Sequence, residues 1–363
     1  MDCKVFDGQV VRPPEEFVKA AEGYISVRVT NMAGIDTNIY RFDYDLTFSA
    51  LLMNADGTVY HRYGTRTAEE ASSRLSMKAL SQLLIDSLED HREYMKNPSP
   101  PPRKPILPIE QIPSMATRLK KDKIDCFHCH MVYDSFRKDE QALGTWSRSE
   151  IWKYPLPDQV GLLMEVEDPS LIRKVASSSA AYRSKIRSKD RIIYLEDQRV
   201  RTHADIQWVL DKASPNATTL RVVIERKGKR KELKLRLRKG WKVSDSKVVS
   251  WRPTIWSYRP APGFGGPMLK PDELAKWKLP KNSWAIRITY IVNWGENKKD
   301  GQNAMQAGIK RGDILLSVGG KRDFISSQHF QSWFRMGLKP GSKVEFRILR
   351  NGKPKRIQMK VLP

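Results

Sequence analysis

The sequence predicts a mixed protein, α/β and α+β in class, built from several domains. Three observations lead there. Helix and strand signals alternate through the first ninety residues, a proline-rich run interrupts the chain at "KNPSPPPRKPILPIEQIPS", and two later stretches repeat one order of elements. At 363 residues the chain is long enough for two or three domains, each with its own core.

Taken in order, "PPEEFVKAAEG" is a short helix with prolines in its first turn and Gly23 at its end. "YISVRVTNM" is β-branched and alternating. "FSALLMNADGTVYHRYG" is two apolar runs around Asp56-Gly57, a strong hairpin signal. "EEASSRLSMKALSQLLIDSLEDH" places Leu80, Leu83, Leu84 and Leu88 at helical spacing. These elements make a first domain over 1–95. The proline run cannot continue a helix and reads as an extended linker, which together with a cysteine-bearing segment fills 96–155.

The repeats follow at 156–241 and 282–363, separated by a Trp-, Pro- and Gly-rich connector over 242–281. Each runs as strand, small-residue helix, basic turn with an aspartate, strand, helix and hairpin. "KVASSSAAYRSKIRSKDRIIYLEDQ" in the first corresponds to "NAMQAGIKRGDILLSVGGK" in the second.

Sixty-five Lys and Arg against 41 Asp and Glu give a net charge of +24, which favours anionic surroundings. The basic residues are spread through strand patterns such as "RKGKRKELKLRLRKGWK", so they read as a solvated face rather than a specific nucleic-acid site. Three cysteines cannot build a disulfide framework, and no apolar run approaches the roughly 20 residues of a membrane span. The opening "MDCKVFDGQV" has neither the basic nor the apolar region of a signal peptide. No paired carboxylates, phosphate loop or catalytic triad points to an enzyme.

The densest chemistry lies in "DCFHCHMVYD", residues 125–134. A redox dithiol wants a strand before it, whereas "MATRLKKDKID" is polar and helical. A zinc site wants four ligands, commonly two separated pairs, and the sequence offers no second pair. Covalent c-type haem needs two thiols at i and i+3 on one helix face and an imidazole directly after them, which Cys126, Cys129 and His130 are expected to supply. Haem c therefore ranks first, zinc second and dithiol third. Ile124, Phe127, Met131 and Phe136 are available to shield a porphyrin edge. Met164, Met115, Met131 and His91 are the sixth-ligand candidates, Met131 being too close to His130 to cross the ring, and a five-coordinate iron stays open.

"AGIKRGDILLSVGGKRDFISSQHFQSWF" resembles a bacterial-type PDZ domain, and the first repeat resembles it less closely because "SKIRSKD" lacks the glycines. The resemblance implies binding of protein C-termini or extended peptides by strand addition. Its carboxylate loop, a glycine between apolar residues, matches Val160, Gly161, Leu162 and Leu163. "SWAI" at 283–286 carries no such glycine, which predicts a closed or altered groove in the second repeat. Basic residues Arg183, Lys185 and Arg187 would favour acidic peptides.

The N-terminal segment from "MDCKVFDGQ" to "VYHRYG" resembles a thioredoxin-like fold after its active-site helix, with Phe48 where that family has a cis-proline. Cys3 then reads as an ordinary small residue, and the front of the fold and a leader are expected upstream of Met1. The whole order, carried by "FDYDLTF", "NADGTVYHRYGTR", "CFHCH" and "WKYPLPDQVGL", is similar to planctomycete-type exported proteins that combine a thioredoxin-like domain, a CxxCH segment and paired PDZ domains. The resulting expectation is a periplasmic or otherwise extracytoplasmic electron-transfer adaptor with a redox partner protein. The alternative is a non-redox peptide-binding scaffold with a structural zinc.

Overall fold

The computed structural model describes residues 4–102, 104–295 and 298–363, so Cys3 lies outside the described residues. The chain divides into two compact units, 1–244 and 245–363. Among the described residues no helix is long and apolar enough to cross a membrane.

The first unit begins with helices α1 (Lys4–Val11) and α2 (Glu15–Ala21), a hairpin of β1 (Ala50–Met53) and β2 (Val59–Tyr63), and helix α3 (Met77–Tyr94). The Asp56-Gly57 turn forms as predicted, with Gly57 at φ +91° and the Asn54 N–H donating to Thr58 O at 2.8 Å. Ser76 caps α3 by accepting from the Ala79 N–H. The helix buries Leu80, Leu83 and Leu84 against Phe6, Leu52 and Tyr63, and Phe48 packs edge-on to Phe6.

Residues 24–30 depart from the sequence reading. They form no strand, and Ile25 and Val27 are 96% and 78% exposed. Alternation makes a strand only where a neighbouring edge accepts its backbone groups. The sheet here holds β1 and β2 alone.

Next come α4 (Pro113–Leu119) and α5 (His130–Ala142). With residues 32–44 they enclose a small core of Met32, Tyr44, Ile109, Ile112, Met115, Phe127, Met131 and Val132.

The first repeat completes this unit. It holds β3 (Leu162–Met164) paired with β4 (Ile172–Val175), then α6 (Ala180–Arg183), β5 (Arg191–Leu195), β6 (Gln198–Arg199), α7 (His203–Lys212), β7 (Thr218–Arg226) and β8 (Lys229–Leu237). Its main sheet runs β6-β5-β7-β8.

The second unit contains β9 (Phe264–Gly265), α8 (Pro271–Lys276), β10 (Ile286–Arg287), β11 (Tyr290–Ile291), α9 (Lys298–Gln306), β12 (Ile314–Val318), α10 (Ser327–Gly337), β13 (Lys343–Arg350) and β14 (Lys353–Lys360). Here the sheets are β10-β12-β13-β14 and β11-β9.

One device holds both repeats. Arg226 donates to both carboxylate oxygens of Asp190, at 2.6 and 2.7 Å, and to Lys185 O at 2.9 Å. Arg350 does the same to Asp313, at 2.7 Å twice, and to Gly308 O at 2.6 Å. Each aspartate also accepts a backbone N–H three residues earlier, from Arg187 and Lys310. The missing glycines of the first repeat are thereby explained. Lys185 and Lys189 take φ +61° and +68°, where Gly308 and Gly312 take +99° and +88°. The clamp fixes the turn, and the first repeat carries the left-handed strain on lysines.

Helix α7 is buried on every side: from Thr202 to Leu210 only Trp208 is partly open. Its outward face meets β2 and α3 through charge. His61, with its side chain fully buried, bridges Asp205 (2.9 Å) and Asp90 (2.7 Å), while Arg201 pairs with Asp86 and Asp90. Arg74 adds a two-pronged pair to Asp158 at 2.5 and 2.6 Å. These buried charges tie α7 to β2 and α3, and removing one of a pair leaves the other buried and unpaired.

Burial alone would lower the His61 pKa, but the two carboxylates outweigh it and push it up to about 9. Its stabilisation is therefore complete below about pH 6.5 and fades as the pH rises through about 9. His61→Gln should cost about 3 kcal/mol at pH 6 by urea unfolding. The gap between wild type and variant should shrink toward pH 10; a constant gap would mean that His61 is neutral in the fold.

Candidate functional site

Cys126 is exposed and Cys129 half-buried, both as thiols, and α5 starts at His130 with Cys129 as its N-cap. The segment is pinned from outside. Asn31 Oδ1 accepts the Phe127 N–H at 2.9 Å, and Phe127 O accepts the Met32 N–H at 2.9 Å. Phe127 and Met131 therefore point inward, and Met131 Sδ accepts the His128 N–H at 3.3 Å. His128 and His130 stay exposed, their rings stacked 5.7 Å apart and 4° from parallel.

Cys126 lies in a non-helical segment ahead of α5, so the two thiols do not share the helix face that the sequence predicts. Covalent haem attachment would draw on Cys126, Cys129 and His130 in this arrangement. Cys126 and the His130 imidazole face solvent, Cys129 caps the helix, and Phe127 and Met131 are buried in the core against which Cys129 packs. Among the described residues no group of three or more His, Cys, Asp or Glu is disposed to hold a metal ion, so the zinc reading has no preformed cage. Of the sixth-ligand candidates, Met164 is packed in the core of the first repeat, and His91 bonds Tyr60 Oη at 2.9 Å. Met115 and Met131 lie in the small core beneath the thiols.

The loop of the first repeat is ordered by its glycine. Val160 and Leu162 are each 1% exposed, and Leu163 is half-buried. Gly161 adopts φ +90°, donates to Asp158 O and accepts the Ala176 N–H, both at 2.9 Å. A Cβ there would strike Ser179, the N-cap of α6, so only glycine fits.

The second repeat has the same loop, in a place the sequence reading passed over. Gly263 takes φ +78° and its carbonyl accepts the Val292 N–H at 2.8 Å, while a Cβ would strike the backbone of Asp300 and Gly301 in α9. Phe264 pairs with Ile291 as Leu162 pairs with Val175. The counterpart of Val160-Gly161-Leu162-Leu163 is thus Pro262-Gly263-Phe264-Gly265, and "SWAI" leads into β10 instead. Insertion of α8 between β9 and β10 displaced the motif from its expected spacing. The "GFGG" run itself was the legible signal.

Helix α10 closes the edge of this loop. Gln331 Nε2 donates to Phe264 O at 2.8 Å and Ser327 Oγ donates to Gly266 O at 2.7 Å. A peptide adding a strand to β9 needs those same carbonyls. Each bond is worth about 1 kcal/mol. Ser327→Ala combined with Gln331→Ala should therefore raise the affinity of the second repeat for extended peptides about tenfold or more. Titration calorimetry with a C-terminal peptide reads this as an added site, and an unchanged isotherm would show that the edge is not limiting.

A PDZ domain family model matches residues 159–237 and 296–361. Among solved structures, the chain is similar to an HtrA-type protease AlgW with decapeptide, at 16% identity and TM-score 0.23, covering 40% of this chain and 41% of that one. A variant of that protease with decapeptide matches at 15% identity and TM-score 0.23, covering 40% of each chain. The chain thus spans about two-fifths of the solved structures it matches. Comparison with curated proteins gives no match. Two PDZ domains, built on one clamp and one glycine loop, are present in this chain.

Proposed function

We propose that the chain is an extracytoplasmic electron-transfer adaptor. Cys126 and Cys129 would hold one c-type haem with His130 as axial ligand, and the PDZ repeats would dock protein partners. Support comes above all from one observation: Cys129 is the N-cap of α5, His130 opens the helix, and Cys126 and His130 are open to solvent. The haem would supply a one-electron couple. The chain's part would be to hold Cys129 at the helix start with Cys126 just ahead of it, present the His130 ring and keep water from the inner face with Phe127 and Met131.

The PDZ part follows from the glycine loops. Val160, Gly161, Leu162 and Leu163 would form the docking loop of the first repeat, and Arg183, Lys185 and Arg187, exposed in the same repeat, would favour acidic C-termini. The N-terminal helices and hairpin are read as a partial thioredoxin-like element, in which Phe48 fills the apolar core.

Expression in a host with periplasmic haem maturation tests this proposal. The intact mass should rise by one haem, with a pyridine-haemochrome spectrum, and Cys126→Ala or Cys129→Ala should disrupt attachment at both thiols. An unmodified mass would sink the haem reading, and stoichiometric zinc in that same protein would favour the non-redox scaffold.

A further inference from the structure

Two lysines of the first repeat occupy a backbone conformation that the second repeat gives to glycine. Lys185 and Lys189 take φ +61° and +68° at the positions of Gly308 and Gly312. Glycine adopts this region without strain, whereas a lysine there costs stability. The turn uses only their main chain: Arg226 donates to Lys185 O, and the Lys189 N–H donates to Ile172 O at 2.8 Å. What lysine adds over glycine is charge, and both residues are exposed.

That charge belongs to a larger basic surface. From Ile172 to Lys189 the chain carries six cations and no carboxylate, and among the described residues none of the six forms an ion pair. The backbone ties this run together with the edge strand β8. Ser188 Oγ donates to Arg173 O at 2.5 Å, and the Arg236 N–H donates to Ser184 Oγ at 3.2 Å. Strand β8 adds exposed Lys234 and Arg236, and Lys234 stands opposite Arg221 in register, like charge against like. Nearby carboxylates face other cations: Asp190 is held by Arg226, Asp168 by Arg191 at 2.6 Å, and Glu232 lies 3.8 Å from Arg221. Glu225 stands opposite Arg230 in the hairpin. Within the same run Tyr182, in α6, is 60% exposed.

We propose that β4, the α6–β5 turn and β8 form a docking surface for the anionic headgroups of a lipid bilayer. The cations are spread over three elements instead of lining one groove, which suits a planar array of charge better than a single polyanion strand. Tyr182 supplies a ring with an apolar body and a polar tip, the kind of side chain that settles at headgroup level. The protein would lie on the bilayer without crossing it. Docking of this kind depends neither on the haem nor on the Gly161 loop.

Co-sedimentation of the full chain with lipid vesicles tests the proposal. Binding is expected with phosphatidylglycerol and phosphatidylcholine in equal parts, not with phosphatidylcholine alone, and should weaken as salt is raised. Lys185→Gly with Lys189→Gly should lower partitioning about tenfold or more, while the urea midpoint stays at or above that of the wild type. Arg173→Gln with Lys234→Gln and Arg236→Gln, all exposed, should weaken it at least as much. A control pair exposed in the second unit, Lys276→Gln with Lys278→Gln, removes the same charge as the lysine pair and should leave binding intact. No binding to the anionic vesicles, or an equal loss in the control pair, would overturn the assignment. So would tighter binding to a single-stranded oligonucleotide than to the anionic vesicles.

Discussion

Asp190 and Asp313 each expose 1% of their surface, and each is held by an arginine that reaches across from the following hairpin. Everything else in a repeat hangs on that pair. The aspartate shapes the turn into the central strand, and its own carbonyl accepts the N–H of Ile172 in β4 or of Ile288 just after β10. The arginine also takes the carbonyl at the end of the small helix, so helix, turn, strand and hairpin meet on one guanidinium. Removing either partner would leave a buried charge or an open ring of donors, a cost of several kcal/mol.

From this shared frame the two repeats diverge by what covers their helices. In the first, α7 has its outward face taken by His61, Asp90 and the arginines beside them, so its environment depends on the N-terminal hairpin and α3. In the second, α10 spends Ser327 and Gln331 on the edge of β9. Arg335 adds a bond to Tyr258 O at 2.8 Å. One repeat is tied to its own unit by ionic contacts, and the other is folded onto its own loop by side-chain hydrogen bonds to main-chain carbonyls.

Much of this was legible in the residues. The order of elements, the Asp56-Gly57 hairpin, the repeat itself and the glycine at 161 all follow from period and turn chemistry. Gly263 escaped because α8 stretches the connection between β9 and β10, and spacing was the guide. The strand expected at 24–30 failed for a different reason: alternation reports a side-chain pattern, not the presence of an edge to pair with. His61 carried no local signal at all. Its partners, Asp90 and Asp205, lie 29 and 144 residues away, and only the folded chain brings them to one imidazole.

The clamp can be measured without reference to any ligand. A double-mutant cycle on Arg350→Met and Asp313→Asn, followed by urea unfolding of the second unit's transition, isolates the coupling between the two side chains. The account requires a coupling energy of at least about 2 kcal/mol, because the aspartate is buried and bound by both prongs of the guanidinium. A coupling below about 0.5 kcal/mol, the value of an ordinary surface pair, would show that the repeats are held by their apolar cores and not by this contact.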